Sequence, residues 1–460
     1  VAAPSIHPTD IPGLLVVDLP VHADDRGWFK ENWQREAMTA LGLPDFGPVQ
    51  QNVAFNAEAG VTRGIHAEPW DKFVSVATGR VFGAWVDLRE GESHGRVVTL
   101  EMGPERAVFV PRGVGNAYQT LMPGTVYGYL VNDRWTPDAK DRSTFVQLGD
   151  PALGIDWPIP LTEAILSDAD TSHPPLARSR PVRRRHALVL GAGGQLGRAL
   201  RAAIPDALAL TREEADLARP ETLEGIEWRD VGAIINAAAY TAVDLAETPE
   251  GRRAAWATNV TGVGHLVEIA RRHRLPLVHV SSDYVFDGTA TEHGEDEPFS
   301  PLGVYGQTKA AGDAVVATWE KHYVVRTSWV VGDGRNFVAT MATLADRGVS
   351  PAVIDDRFGR LTFTEDLAAG ILHLLDSGAA YGTYHLTNSG PVQSWADIAA
   401  DVFELRGRPR TDVARVSTEE YHAGRAMAPR PVHSTLSLAK IEATGYEIAP
   451  ASARLRARMS

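Results

Sequence analysis

At 460 residues the chain is too long for one ordinary hydrophobic core, and its 44% apolar content with 11 Trp, 11 Tyr and 13 Phe supplies the material for two packed domains. A formal net charge of −13 repels a phosphate backbone and argues against a nucleic-acid partner, while the absence of cysteine excludes disulfides, thiolate nucleophiles and Cys-ligated metals. Residues 1–20 lack the basic-then-apolar pattern of a leader, and no run approaches the ~20 apolar residues of a membrane span, so a cytoplasmic protein with no membrane partner is expected.

From residue 14 to 147 the apolar runs are short, rich in Val, Phe, Trp and Tyr, and broken by Gly, Pro or Asp about every ten residues. Strands are expected over 73–78, 81–88, 96–102, 107–110, 118–122 and 125–131, a spacing that suggests a β-sandwich or barrel. Residues 171–185 follow with five Arg, three Pro and no acidic residue. Their plainest reading is a solvated linker rather than a functional basic patch.

From residue 186 onward the texture changes. Strands expected over 187–190, 207–210, 233–236, 277–280 and 323–327 alternate with helical stretches over 195–203, 251–274 and 308–321, which predicts a parallel sheet covered on both faces. The first strand runs directly into Gly191-Ala-Gly-Gly-Gln-Leu-Gly197 and then a helix. Glycines here permit a tight turn and a close backbone approach to a pyrophosphate, with the helix N-terminus facing the anion.

Further along, Tyr305-Gly-Gln-Thr-Lys309 opens a helix and sets a phenol and an ammonium four residues apart on one face. A neighbouring cation favours phenolate, so the pair predicts a lowered tyrosine pKa and proton exchange with a carbonyl. Ser281-Ser-Asp-Tyr-Val-Phe286 follows a strand, where Ser282 can supply a third hydroxyl group.

These motifs, with Asn236-Ala-Ala-Ala-Tyr-Thr-Ala-Val-Asp244, Arg326-Thr-Ser-Trp-Val330, Asn336-Phe337, Gly359 with Thr362, and Arg430-Pro431, make residues 186–460 resemble the dTDP-4-dehydrorhamnose reductases of the extended short-chain dehydrogenase family. The resemblance implies a Rossmann fold with a smaller substrate-binding subdomain and a Ser282, Tyr305, Lys309 catalytic triad. It places the cofactor on Gly191, Gly193, Gly194, Gln195, Leu196 and Gly197, on Ala237, Ala238 and Ala239, and on Tyr305 and Lys309. Asp216 and Leu217 would border the adenine, and Tyr284 and Trp329 would touch the deoxysugar. For Trp329, core packing is an equally good reading. Arg212, just past the second strand, favours NADPH over NADH by offering a partner to a 2′-phosphate. The sequence departs from the family at Asp356-Arg-Phe-Gly-Arg-Leu-Thr362 and at His433, which bears on nucleotide or sugar preference.

Asp25-Arg-Gly-Trp-Phe29, Arg63-Gly-Ile-His66, Lys72, Val86-Asp-Leu-Arg89 and Pro111-Arg-Gly113 make residues 1–170 resemble the dTDP-4-dehydrorhamnose 3,5-epimerases, which have a cupin-type jelly-roll fold. Inverting carbons beside a ketone needs a base on one face, a cation near the enolate oxygen and an acid on the other face. His66 fits the base, Lys72 the enolate stabiliser, Tyr129 the acid and Asp170 the carboxylate that orients His66. Arg26 and Arg63 would hold the diphosphate. No metal is expected, because His66 has no second histidine two residues on and His94 lacks companions at ligand spacing. Asn116 stands where the family commonly has histidine, and Trp135 where a second aromatic hydroxyl is often found. As a substrate-binding group Asn116 cannot shuttle a proton at neutral pH.

The expected whole is a bifunctional isomerase and oxidoreductase, homodimeric through the jelly roll, that converts a dTDP-4-keto-6-deoxyglucose to dTDP-L-rhamnose with NADPH. The alternative is a front half that is non-catalytic or inverts one carbon only, and a rear half acting on a related 4-keto-6-deoxysugar nucleotide.

Overall fold

A computed structural model describes residues 3–183, 185–424 and 427–459, so that Arg184 of the expected linker lies outside the described residues. The chain divides into two compact units, Val1–Arg184 and Arg185–Ser460.

The front unit is two antiparallel sheets. One has six strands in the order Ser5–Pro8, Leu15–Asp18, Arg106–Val110, Lys72–Thr78, Thr125–Val131, Gln50–Asn56, and the other five in the order Thr144–Phe145, Thr62–Ala67, Val114–Thr120, Val81–Asp87, Val97–Met102. Inward side chains of both, among them Val74, Val76 and Val108 against Trp85, Val114 and Tyr118, form a shared core. This is the packing that alternate burial along short β-rich strands calls for. The strand expected over 118–122 instead runs Val114–Thr120, because Pro123 and Gly124 close a turn that takes Leu121 and Met122 with it.

Residues 171–182 are not a free linker. Val182 N–H donates to Leu88 O at 2.7 Å, Glu90 N–H to Val182 O at 3.0 Å, and Gln147 N–H to Pro174 O at 2.9 Å. Leu176 and Val182 pack against the cluster that contains Ile65 and Leu88. Two apolar side chains among the arginines, with backbone groups able to pair, bind this basic segment to the front unit.

The rear unit has a parallel six-stranded sheet in the order Leu208–Leu210, His186–Leu190, Val231–Asn236, Leu277–Ser282, His322–Thr327, Gly382–His385. Strand order reverses at His186–Leu190, so a crevice opens at the C-terminal ends of that strand and Val231–Asn236. The helix expected over 251–274 is interrupted by a π-helical turn, Ala257–Thr261, between Pro249–Trp256 and Gly262–His273. The turn carries buried Asn259, which accepts from Tyr240 N–H at 2.8 Å and donates to Thr308 Oγ at 3.0 Å, tying the crevice to the neighbouring helix. That helix runs Val304–Val316 rather than 308–321. A smaller cluster around Val338, Phe363, Ile398 and Phe403 forms the accessory subdomain. Among the described residues no helix is long and apolar enough to cross a membrane.

Two glycines shape the crevice. Gly191 has φ +81°, and a Cβ there would meet Ala238 N at 2.8 Å; a Cβ at Gly197 would lie 2.1 Å from Gly191 O. Gly197→Ala is therefore expected to cost the rear unit about 1–3 kcal/mol through overpacking. Urea denaturation of the full chain reads this as a rear-unit transition at lower denaturant, and an unmoved transition would contradict the contact.

Candidate functional site

In the front unit a cavity of about 470 Å³ is lined by Arg63, His66, Glu68, Trp70, Asp170 and His173, among others. His66 sits on strand Thr62–Ala67, and its Nε2 lies 2.8 Å from Asp170 Oδ1. Asp170 is on the short helix Asp168–Thr171, capped by Ser167, whose hydroxyl donates to Asp170 Oδ2 at 2.8 Å. Burial pushes the Asp170 carboxyl up, but hydrogen bonds from His66 and Ser167 outweigh it and hold the group below its ordinary value.

Lys72 is buried and forms an ion pair with Glu68; its ammonium lies 5.7 Å from the centre of the Tyr129 ring. Burial first, and Glu68 second, push the Tyr129 hydroxyl up to about 12, so the phenol stays protonated at neutral pH. Arg63 and Trp135 border the cavity. Arg26 does not line it: the side chain is 89% exposed on the hairpin of His22–Asp24 and Gly27–Phe29, paired with Asp24. Asn116 pairs with His66 across the sheet, and its carbonyl accepts from Trp85 Nε1 at 2.9 Å and Tyr127 OH at 3.0 Å. It braces two buried aromatic residues.

Two front-unit residues had escaped the sequence reading. Glu68 precedes Lys72 by four positions, a spacing that could have flagged it. His173 follows Asp170 by three, and its ring stacks on Phe145 at 4.9 Å and meets His66 edge-on at 5.3 Å. Burial, then the neighbouring His66, lowers the His173 pKa. His66 has no second histidine two residues on, but His173 approaches it from across the fold.

In the rear unit a cleft of about 590 Å³ gathers Gly191, Gly194, Gln195, Leu196, Arg212, Asp216, Leu217 and Ala237–Ala239 with Ser282, Tyr284, Tyr305, Lys309 and Trp329. Of the expected group Gly193 and Gly197 do not line it, and Gly197 acts through helix packing. Trp329, at φ +46°, stacks on Trp395 with ring centres 3.8 Å apart; both face the cleft and pack on the accessory cluster. Trp329 thus packs on the accessory core and also borders the cleft. Trp395 is distant in sequence and carried no signal.

Lys309 donates to Val280 O at 2.7 Å and lies 3.3 Å from His279 Nε2, and burial lowers its ammonium to about 8. The expected fall in the Tyr305 pKa is not what the structure has. Burial and the neighbouring Asp283 raise it instead, which keeps Tyr305 protonated, the form that can give a proton. Four residues beyond Lys309, Asp313 accepts from Arg326 Nε at 2.9 Å, anchoring this helix to strand His322–Thr327.

Asp283, adjacent to Ser282 and accepting from its hydroxyl at 2.8 Å, is pushed up to about 6 by burial. Between roughly pH 4 and 6 the folded state then holds the proton that the unfolded state has released, so this group's contribution to stability falls as pH rises through that window. Asp283→Asn removes that loss. The variant is expected to unfold at the same temperature as the parent near pH 4 and at a higher one at pH 7; a gap independent of pH would contradict the assignment.

A parallel sheet with a glycine turn at its order reversal, and with Ser, Tyr and Lys in the same cleft, defines a short-chain dehydrogenase-type Rossmann enzyme. The front sandwich is a cupin-type jelly roll. Residues 185–458 match the RmlD substrate binding domain family and residues 8–178 the dTDP-4-dehydrorhamnose 3,5-epimerase family. The chain belongs to both families, one in each unit. An RmlC homolog of Streptococcus pyogenes serotype M6 is 49% identical over 179 residues, covering 38% of this chain and 90% of that protein. A dTDP-4-dehydrorhamnose reductase of Aggregatibacter actinomycetemcomitans is 37% identical over 276 residues, covering 55% of this chain and 91% of that protein. The crystal structure of dTDP-4-dehydrorhamnose reductase from Bacillus anthracis in complex with NADP superimposes with a TM-score of 0.56 at 31% identity, covering 60% of this chain and 98% of that one. One chain thus joins an isomerase domain to an oxidoreductase domain.

Proposed function

We propose that the front unit epimerises dTDP-4-keto-6-deoxyglucose to its L-configured 4-ketone and that the rear unit reduces that ketone to dTDP-L-rhamnose with NADPH. The observation that carries the reading is that the His66–Asp170 pair lines a cavity in one unit, and Tyr305, Lys309 and the glycine turn line a cleft in the other.

In the first step, His66 with Nε2–H held by Asp170 has Nδ1 free to take the proton beside the ketone. Lys72 stabilises the enolate oxygen, its charge moderated by Glu68, and Tyr129 returns a proton to the opposite face. Arg63, which lines the cavity, binds the diphosphate. Asn116 frames the site by bracing Trp85 and Tyr127. None of these roles calls on a metal.

In the second step the cradle at Gly191, where a Cβ would strike Ala238, fits a pyrophosphate approaching backbone, and Asp216, Leu217 and Ala237–Ala239 flank it. When bound there, the nicotinamide supplies hydride to the sugar ketone. Tyr305 gives the proton to the resulting alkoxide, Ser282 positions the carbonyl, and Lys309 orients the nucleotide and assists Tyr305. Arg212, 74% exposed at the cleft, supports a 2′-phosphate and hence NADPH. Tyr284 and Trp329 border the sugar. The exposed Val53 and Phe55 on the edge strand Gln50–Asn56 support a homodimer through the jelly roll.

The full chain is incubated with dTDP-4-keto-6-deoxyglucose in deuterated water and the product read by NMR before and after NADPH is added. His66→Asn is expected to lower deuterium entry at C3 and C5 by about 10²–10⁴, and Tyr305→Phe to lower NADPH oxidation by a like factor while deuterium entry continues. Undiminished deuterium entry in His66→Asn would refute the base, and entry at a single carbon would restrict the epimerisation to that carbon.

A further inference from the structure

His173 has no part in the chemistry above, yet it is held beside it. Its ring face lies on Phe145, its edge meets His66, and Gln147 N–H fixes the following residue by donating to Pro174 O at 2.9 Å. Its Nδ1 is buried and makes no close hydrogen bond, although the Gly64 carbonyl interacts with the ring. A nitrogen of each histidine and a carboxylate oxygen of Asp170 lie within 4.8 Å of one another. The spread is larger than that of ligand atoms sharing a zinc ion, so filling the site requires the three groups to draw together.

Two imidazoles and a carboxylate beside a cavity with room for water are the donors of a zinc-type site with one open position. Arg63 and Lys140 line the same cavity. Their charge disfavours a loosely held, hydrated Mg²⁺ or Ca²⁺, whereas a transition ion bound through nitrogen lone pairs gains enough from direct coordination to offset them.

We propose that His66, Asp170 and His173 form a binding site for a divalent transition metal of the zinc class, and that filling it switches off the front unit's acid–base chemistry. The ion takes the place of the proton between His66 Nε2 and Asp170. That proton moves to Nδ1 of the same ring, so the nitrogen that would act as base is capped and no proton is lost overall. Metal binding stands on the geometry alone; the inhibition rests on the role assigned to His66.

The test uses the tag-free full chain titrated with Co²⁺, reading visible d–d absorption. Saturable, stoichiometric absorption is expected, and His173→Phe, which preserves a ring on Phe145, is expected to weaken it by more than about tenfold. His173→Gln serves should the first variant fail to fold. Zn²⁺ is then expected to suppress deuterium entry, with EDTA restoring it, while NADPH oxidation by the rear unit on pre-epimerised ketone continues. Absence of Co²⁺ absorption up to millimolar metal, or equal absorption in parent and variant, would overturn the site. Normal Co²⁺ binding with Zn²⁺-insensitive deuterium entry would overturn the switch. If the metal-free chain gives no deuterium entry at all, the epimerase reading fails and the Co²⁺ titration still decides the site.

Discussion

Taking an ionised group out of water costs several kcal/mol unless a partner replaces the lost hydration, and that constraint organises both units. Lys72 is met by Glu68, Asp170 by His66 and Ser167, Lys309 by the Val280 carbonyl, and Arg326 by Asp313. Where compensation is incomplete, the group itself shifts: Asp283 is raised to about 6 and Lys309 lowered to about 8. Groups that titrate near neutrality in the rear unit are thus a product of burial in a fold built for packing.

The two cavities reach this condition by different routes. In the jelly roll the groups come from both sheets, the His66 strand from the five-stranded one and the Lys72 strand from the six-stranded one, with the Asp170 helix adding a third member. In the Rossmann unit the groups come from strand ends and from a single helix whose turn spacing aligns Tyr305, Lys309 and Asp313. Joining two steps on one chain keeps the second site at high effective concentration for a reactive keto intermediate. That benefit needs only a tether.

Much of this was legible in the residues. The change of texture near residue 175 pointed to two units, which the fold divides at Arg184 and Arg185, and the glycine turn after an apolar strand located the crevice because few other sequences allow a backbone to come so close to a phosphate. Tyr305 and Lys309 were picked out by their spacing, and His66 and Asp170 by family resemblance; the fold brings the members of each pair together. What could not be read depends on proximity across the fold. Leu176 and Val182 turned an apparent linker into part of the first unit, and Trp395 reached Trp329 from the start of the helix Trp395–Leu405. Tyr305 was expected to be acidified by Lys309, but burial and Asp283 dominate, and neither has a one-dimensional signature.

The sequence by itself determined the architecture and the chemical types of both sites, since periodicity, turn residues and short motifs are local properties of a chain. Only the tertiary structure decided which groups face one another and how far each is removed from water. His173 beside His66, and Asn116 committed to Trp85 and Tyr127, arise from separate strands and loops brought together by the fold. Coulomb energies and desolvation vary with separation in space, so residue order alone does not set them.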